Sequence, residues 1–177
     1  MKLVVLRGNS GSGKSTVAAE LRRRLGDGVA LVEQDYLGRT VLGERQTDAG
    51  ENTELIALVV RYALQRSPAV VLEGMLTASR YADVLQELSE LPGVESWFYY
   101  FDIPFEETVA RHATREKAGS FGRDELARWW TDRTTLAFAE EHTIDAASSV
   151  DETASRIIRD AGLRPGALIS GPRGESL

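Results

Sequence analysis

An eight-residue segment near the N-terminus constrains the fold of this chain more than any other feature. It reads Gly-Asn-Ser-Gly-Ser-Gly-Lys-Ser over residues 8–15 and satisfies the pattern G-x-x-x-x-G-K-S/T. An apolar run at 3–6 precedes it, and an amphipathic pattern typical of a helix follows over 16–25. Glycines let the backbone turn its N–H groups inward around a phosphate, and a helix N-terminus adds a positive dipole end. We therefore predict a phosphate-binding loop between a strand and a helix.

This loop supplies most of the candidate ligand groups for a nucleotide. Lys14 offers a mobile positive charge to the β and γ phosphates, and the hydroxyl of Ser15 is a hard oxygen ligand suited to Mg²⁺. The predicted cofactors are therefore ATP and Mg²⁺. The predicted nucleotide-binding residues of the loop and first helical turn are Gly8, Asn9, Ser10, Gly11, Ser12, Gly13, Lys14, Ser15 and Thr16.

Apolar periodicity divides the chain into alternating strands and helices. Short apolar runs, typical of strands buried on both faces of a sheet, occur at 3–6, 29–32, 69–72 and 97–103, with a weaker one at 143–144. Helical patterns lie between and after them, at 16–25, 53–65, 80–91, 104–117, 124–141 (in one or two pieces) and 150–161. This alternation predicts a parallel sheet with helices on both faces, and ligands at the carboxyl ends of its strands.

Composition narrows the possible functions. The 177-residue chain has no cysteine, two histidines and a net charge of −6. Thiol chemistry and cysteine-ligated zinc are therefore excluded, and broad electrostatic binding to nucleic acid or anionic membrane is disfavoured. No apolar stretch approaches the roughly 20 residues of a membrane span, so we expect a cytoplasmic protein. We expect one domain over 1–162 and a flexible tail over 163–177, where turn formers are dense.

The phosphate loop in this context resembles that of the P-loop kinases that act on small metabolites. This group includes the adenylate, shikimate and gluconate kinases, chloramphenicol phosphotransferase and the zeta-toxin type kinases, and the resemblance covers about residues 1–161. It implies a three-layer α/β P-loop fold with a five-stranded parallel sheet of order 2-3-1-4-5 and an arginine-bearing lid. It also implies a small-molecule phosphate acceptor.

Two carboxylates follow the second apolar run. Glu33 and Asp35 stand at alternate positions of the predicted strand end, and hence on one face. Phosphoryl transfer needs a group that orients the acceptor hydroxyl and takes its proton. We predict this role for Asp35, as the resemblance implies for an Asp at this strand end. Glu33 is predicted to hold Mg²⁺ through water, although the shikimate kinase pattern has Asp at that position.

The third apolar run ends in Glu73 and Gly74. Glu73 is a candidate for Mg²⁺ binding, and because it is one methylene longer than Asp it could instead reach the acceptor. Gly74 is predicted to let substrate approach the backbone. The polar connection 37–52 carries Arg39, a further candidate for the acceptor site.

A basic island covers residues 111–128, with five Lys or Arg against three Asp or Glu. Arg111 and Arg115 are four apart, so both lie on one face of the predicted helix. The resemblance implies that this pair precedes a lid, with Arg111 against the adenine ring and Arg115 on the phosphates. Arginine suits both tasks, since its plane stacks on a base and its fork binds phosphate.

Four aromatic side chains near this island are predicted to be structural. Trp129 and Trp130 are expected to pack, one toward the core and one at the surface, with stacking on a ligand as the alternative, and His142 is expected to end the preceding helix. His112 is expected to have no catalytic or metal role. The loop after the last strand leads into a helix that Ser149 or Asp151 could cap.

Two functions remain open at this point. The first is an ATP-dependent kinase acting on a hydroxyl of a small molecule, such as a metabolite, a nucleoside or an antibiotic. The second is a regulatory P-loop ATPase that transmits a conformational change to a partner. The sequence contains neither a plain water-positioning residue nor a plain partner-facing surface, which favours the kinase.

Overall fold

Strand β1 (Lys2–Gly8) lies at the centre of the sheet, where its apolar residues are covered from both sides. Leu3, Val4, Val5 and Leu6 have no exposed surface. The computed structural model describes residues 1–44, 52–113 and 122–165. The other strands are β2 (Val29–Glu33), β3 (Ala69–Gly74), β4 (Glu95–Phe101) and β5 (Glu141–Ile144).

The sheet has five parallel strands in the order β2-β3-β1-β4-β5, which confirms the predicted fold class and strand order. The register brings Leu6 level with Glu73, and Gly8 level with Phe101. The carboxyl ends of β1, β2 and β3 therefore meet at one edge of the sheet, where ligands bind in folds of this kind.

Six α-helices cover the two faces in the described part of the chain. They are α1 (Lys14–Leu25), α2 (Thr53–Leu64), α3 (Ala78–Ser89), α4 (Phe105–Ala113), α5 (Arg123–Trp129) and α6 (Val150–Asp160). Alternate residues of β1 point into two separate clusters: Val4 and Leu6 pack with α1 and α6, whereas Leu3 and Val5 pack with α2 and α3. None of these helices is long and apolar enough to cross a membrane.

The predicted helix over 124–141 is too long. α5 ends at Trp129, the backbone of Trp130 is extended, and residues 130–140 form no regular element before β5 begins. The physical reason is a competing set of hydrogen bonds, because the backbone N–H and C=O of Thr131 bond to the side chain of Asn9. His142 accordingly lies in β5, with its ring 5.2 Å from that of Tyr99, and does not end a helix.

Other boundaries also differ from the predicted ones. β2 ends at Glu33, and a π-helical segment over Tyr36–Val41 replaces the start of the predicted polar connection. β4 covers Glu95–Phe101 and therefore begins and ends two residues earlier than the predicted 97–103. Ser149, not Asp151, caps α6, since its hydroxyl accepts from the N–H of Glu152.

The predicted tail over 163–177 lies largely outside the described residues, and so does the middle of the predicted lid over about 111–128. Leu163, the first residue of the predicted tail, is buried in the cluster under α1 and α6, so the core extends to that position. Residues 166–177 are outside the described ranges, as are 114–121 of the predicted lid.

Candidate active site

The loop between β1 and α1 has a backbone that requires glycine. Gly8 and Gly11 have φ values of 142° and 79°, a region that side chains disfavour. A Cβ on Gly8 would lie 2.7 Å from the carbonyl oxygen of Phe101, and a Cβ on Gly11 would lie 2.8 Å from that of Thr108. The loop therefore packs tightly against the end of β4 and against α4, as a preformed phosphate cradle needs.

Lys14 is buried at the first position of α1 with its amine turned onto this loop. The Nζ atom donates to the carbonyl oxygen of Asn9 at 2.7 Å and to the hydroxyl of Ser12 at 3.2 Å. The ammonium group therefore lies where the phosphates of a nucleotide would bind. Thr16, two residues further along α1, is exposed, and Ser10 is half-buried.

Asn9 has a structural task that the sequence does not reveal. Its side chain is buried, its Nδ2 donates to the carbonyl oxygen of Thr131 at 2.8 Å, and its Oδ1 accepts from the N–H of Thr131 at 3.1 Å. The Thr131 hydroxyl donates to the same oxygen at 3.2 Å. The phosphate loop is therefore tied directly to the segment that follows α5.

Ser15 and Glu73 meet at the edge of the sheet. The Ser15 hydroxyl donates to Oε1 of Glu73 at 3.0 Å, which joins the start of α1 to the end of β3. Glu33 is level with Glu73 in the β2–β3 register. The structure thus brings these three predicted metal-binding residues to one place.

Burial raises the pKa of Glu73, and the negative charges of Glu33 and Asp35 add to that rise. The charge of Lys14 and the hydrogen bond from Ser15 act in the opposite direction. Among the described residues, no group of three or more His, Asp or Glu side chains could hold a metal ion. A metal at Ser15 and Glu73 would therefore need ligands from a bound nucleotide as well.

Asp35 does not follow β2 as a strand residue, so the alternation argument for one shared face is wrong. Gln34 and Asp35 are helical and lead into the π-helical segment. Asp35 nevertheless acts electrostatically on Glu73, as Glu33 does. Its carboxylate is ion-paired with Nε of Arg39 at 2.5 Å, and both side chains are partly exposed.

The neighbour of Gly74 in the structure is Gln34, whereas the sequence predicts a substrate at this glycine. A Cβ at this position would lie 2.6 Å from the Cβ of Gln34, so the protein itself occupies the space beside the glycine. Close approach between β3 and the chain after β2 is the visible reason for a glycine here. A substrate contact at Gly74 stays a prediction.

A buried polar network on the same side was missed by the sequence reasoning. The hydroxyl of Tyr81 donates to Oδ1 of Asn52 at 3.0 Å, and Nδ2 of Asn52 donates to Glu44 at 3.2 Å. Asn52 is fully buried, and burial raises the pKa of Tyr81. A Cβ on Gly38 would lie 2.7 Å from Oε2 of Glu44, so the π-helical segment packs directly on the network.

Arg7 was also missed, because it directly follows the apolar run predicted at 3–6, whereas β1 extends past it to Gly8. It has no exposed surface; its Nε donates to the carbonyl oxygen of Leu76 at 3.0 Å and its Nη1 to Glu141 at 2.7 Å. Leu76 has a positive φ of 28°, an uncommon backbone conformation for a residue other than glycine. A charged residue in an otherwise apolar strand was the available signal.

Arg111 lies between the phosphate loop and the loop after β5. Its Nη1 donates to the carbonyl oxygen of Ser12 at 3.2 Å and its Nη2 to that of Ala146 at 2.9 Å, while Nε pairs with Glu107. These contacts bring the predicted adenine-side arginine to the predicted nucleotide-binding loop. Arg115 lies outside the described residues.

A family model described as an AAA domain, AAA_33, matches residues 3–135. The chain belongs to the AAA_33 family. This AAA_33 chain therefore carries the phosphate loop, Glu73, Arg111 and α5 within the matched region. No curated protein matches its sequence significantly.

Solved structures of kinases share the fold of this AAA_33 protein. A gluconokinase from Sinorhizobium meliloti 1021 has a TM-score of 0.62 and 21% identity over 91% of this chain and 94% of its own. The Mycobacterium tuberculosis APS kinase CysC, solved in complex with AMPPNP and APS, has a TM-score of 0.66 and 20% identity over 89% and 95%. A sugar kinase from Janibacter sp. HTCC2649 has a TM-score of 0.58 and 21% identity over 93% and 96%. The predicted resemblance to P-loop kinases is confirmed in the fold.

Proposed function

We propose that this protein transfers the γ-phosphate of ATP to a hydroxyl group of a small molecule. The observation that carries the proposal is the convergence of Lys14, the Ser15–Glu73 pair and Asp35 at the carboxyl ends of β1, β2 and β3. Phosphoryl transfer needs a cation on the phosphates, hard oxygen ligands for Mg²⁺ and a proton acceptor beside the nucleophile. These residues supply all three within one site. The kinase neighbours and the family support the same class of reaction.

Each predicted residue receives a role in this proposal. The loop residues 8–16 and Lys14 bind the phosphates, Ser15 and Glu73 hold Mg²⁺, and Glu33 acts on the metal through water. Mg²⁺ would supply charge neutralisation between the β and γ phosphates when bound. Asp35 orients the acceptor and takes its proton. Arg39, Glu73 and Gly74 border the acceptor.

The basic side of the site would bind the rest of the nucleotide. Arg111 lies beside the phosphate loop and the loop after β5, and its guanidinium plane suits an adenine ring. Arg115 is proposed for the phosphates, on the lid over about 111–128. The proposed acceptor is a small molecule and not a nucleic acid or a membrane, and the proposed location is the cytoplasm.

A regulatory P-loop ATPase without an acceptor is the alternative. The same phosphate loop would serve it, but its rate would not depend on any added hydroxyl compound. The Asp35 carboxylate close to Glu73 favours the kinase, because a switch needs no base for an acceptor.

The test is ADP release with ATP and Mg²⁺, measured with and without a panel of nucleosides, sugar acids, aminoglycosides and phenicol antibiotics. A kinase releases ADP in an acceptor-dependent manner and forms a phosphorylated product detectable by mass spectrometry. Asp35→Asn should keep ATP affinity and lose roughly 10²–10⁴-fold in turnover, the range of general base catalysis. Slow hydrolysis that is indifferent to every acceptor, and equal in Asp35→Asn, supports the switch instead.

A control with Lys14→Ala separates binding from chemistry. Loss of the buried ammonium group should weaken ATP binding, turnover or both. If ATP affinity and turnover both match the wild type, the phosphate loop does not bind the nucleotide and the proposal is wrong.

A further inference from the structure

Two adjacent tryptophans at the end of α5 have different surroundings. The ring of Trp130 packs edge-on against Phe105, with centroids 5.1 Å apart. Trp129 belongs to neither of the two buried clusters of the described residues and is only half-buried. Its indole instead meets Arg39, whose guanidinium carbon lies 5.7 Å from the ring centroid. Trp129 therefore lies beside the acceptor side of the candidate site, not in the core.

Arg39 contacts two groups at once. The same guanidinium that lies over Trp129 is ion-paired with Asp35, at 2.5 Å. The side chains of Asp35 and Arg39 are 56% and 40% exposed, so water screens the ion pair and competes for both charges. Contacts of this kind are weak and can be exchanged for a ligand at little cost. In this structure one partly exposed guanidinium contacts both an aromatic face and the proposed base.

We propose that the acceptor carries a planar ring that stacks on Trp129 in place of the Arg39 guanidinium. The inference rests on the proposed kinase function and names its substrate class: hydroxyl compounds with an aromatic or heteroaromatic ring. Flat π-systems replace a guanidinium on an indole face with similar geometry, whereas saturated sugar acids and polyols offer no such face.

The chemical consequence follows from the ion pair. A new bond forms between the acceptor oxygen and the γ-phosphorus of ATP, and the bond from that phosphorus to the bridging β–γ oxygen breaks, leaving its electron pair on ADP. The acceptor proton moves to a carboxylate oxygen of Asp35. A ring on Trp129 would move the Arg39 guanidinium away from the carboxylate that takes this proton.

The first experiment compares Trp129→Leu, Trp129→Phe and Trp97→Leu. Trp97 is a matched control, because it also lies under a cation, Lys2, at 4.7 Å, but stands near the opposite end of β4. Turnover is measured with nucleosides and phenicols as planar acceptors, and with gluconate and aminoglycosides as saturated ones. Trp129→Leu should raise the KM of a planar acceptor by roughly ten- to a hundredfold, and Trp129→Phe should recover most of that loss. ATP affinity and the thermal midpoint of each variant are measured alongside.

The second experiment uses Arg39→Gln with the same acceptors. The variant removes the guanidinium from the Trp129 ring, so the KM of a planar acceptor should fall by roughly two- to fivefold, the factor that an exposed cation–π contact can account for, with a smaller change for a saturated acceptor. A purely structural role for Arg39 would lower stability without this selective change in KM.

The outcomes distinguish the ring-stacking inference from the proposed kinase function on which it rests. If a saturated acceptor is phosphorylated and Trp129→Leu behaves like Trp97→Leu with it, the ring-stacking inference is overturned while the kinase function stands. If no acceptor raises ADP release, the kinase function itself fails and the inference falls with it. Preference for planar acceptors, together with selective loss in Trp129→Leu, supports both.

Discussion

The Ser15 hydroxyl donates a 3.0 Å hydrogen bond to Oε1 of Glu73, which joins the first turn of α1 to the carboxyl end of β3. The bond connects residues 58 positions apart, one on the phosphate loop and the other at the end of β3. Both oxygens are hard donors of the type that Mg²⁺ prefers. Mg²⁺ bound at this site would take these two oxygens as ligands in place of the hydrogen bond between them.

Glu73→Gln tests this relationship directly. The amide keeps the shape and can still accept from Ser15, but it removes the negative charge, so the apparent Mg²⁺ affinity of turnover should fall by roughly 10–100-fold. The measurement is a Mg²⁺ titration of ADP release at saturating ATP. Glu33→Gln is the comparison, and its effect should be smaller because a role through water tolerates the amide. Equal Mg²⁺ curves for wild type and Glu73→Gln would remove Glu73 from the metal site.

The same residue predicts a pH dependence of stability. Burial raises the pKa of Glu73 in the folded protein above its unfolded value, so its contribution to stability is fully present below the unfolded pKa and is lost as pH rises through the folded pKa. The Glu73→Gln variant has no carboxyl group at this position and does not lose stability in this way. The difference in free energy of unfolding, variant minus wild type, should therefore increase between about pH 4 and about pH 8, as measured by urea denaturation at each pH. A difference that stays constant over this range contradicts the pKa shift.

The sequence predicts the phosphate loop and the order of the sheet because both depend on local patterns. Apolar runs and helical spacing repeat along the chain, and the motif at 8–15 occupies consecutive residues. Contacts between side chains that are far apart in the sequence follow from no repeating pattern of residues. Arg7 and Glu141 are 134 positions apart, and Asn9 and Thr131 are 122 apart. The helix predicted over 124–141 is wrong for that reason, since the Asn9 amide determines where α5 stops.

The acceptor side shows the same limit at closer range. Asp35 is predicted from its position after β2, and the structure brings it close enough to act on Glu73, but through a helical turn and not a strand. The contact of Arg39 with Trp129 joins two segments that no motif connects. Composition predicts that such residues are polar or aromatic, whereas their pairing depends on how the segments pack.

The buried pair of Arg7 and Glu141 predicts a large stability effect. The two side chains are 0% and 3% exposed, and Glu141 also accepts from the N–H of Leu136 at 3.1 Å. Glu141→Gln leaves an uncompensated buried guanidinium, so the free energy of unfolding should fall by about 3–5 kcal/mol. Asp102→Asn is the matched control, because it breaks the exposed pair with Arg133 and should cost less than about 1 kcal/mol. Chemical denaturation of the two variants checks both values, and equal losses would contradict a dominant buried pair.

The side chain of Asn9 predicts a link between the phosphate loop and the segment after α5. Asn9→Ala removes the two hydrogen bonds that the buried Asn9 amide makes with the N–H and C=O of Thr131, each worth about 0.5–1.5 kcal/mol, so the free energy of unfolding should fall by about 1–3 kcal/mol. Thr131→Val is the control: it removes only the hydroxyl bond and keeps both backbone bonds to Asn9, so its loss should be clearly smaller. Because Asn9 lies in the phosphate loop and its side chain ties that loop to Thr131, Asn9→Ala should also weaken ATP binding, measured by calorimetry, while Thr131→Val should not. If both variants lose the same stability and the same ATP affinity, the amide of Asn9 does not couple the two segments.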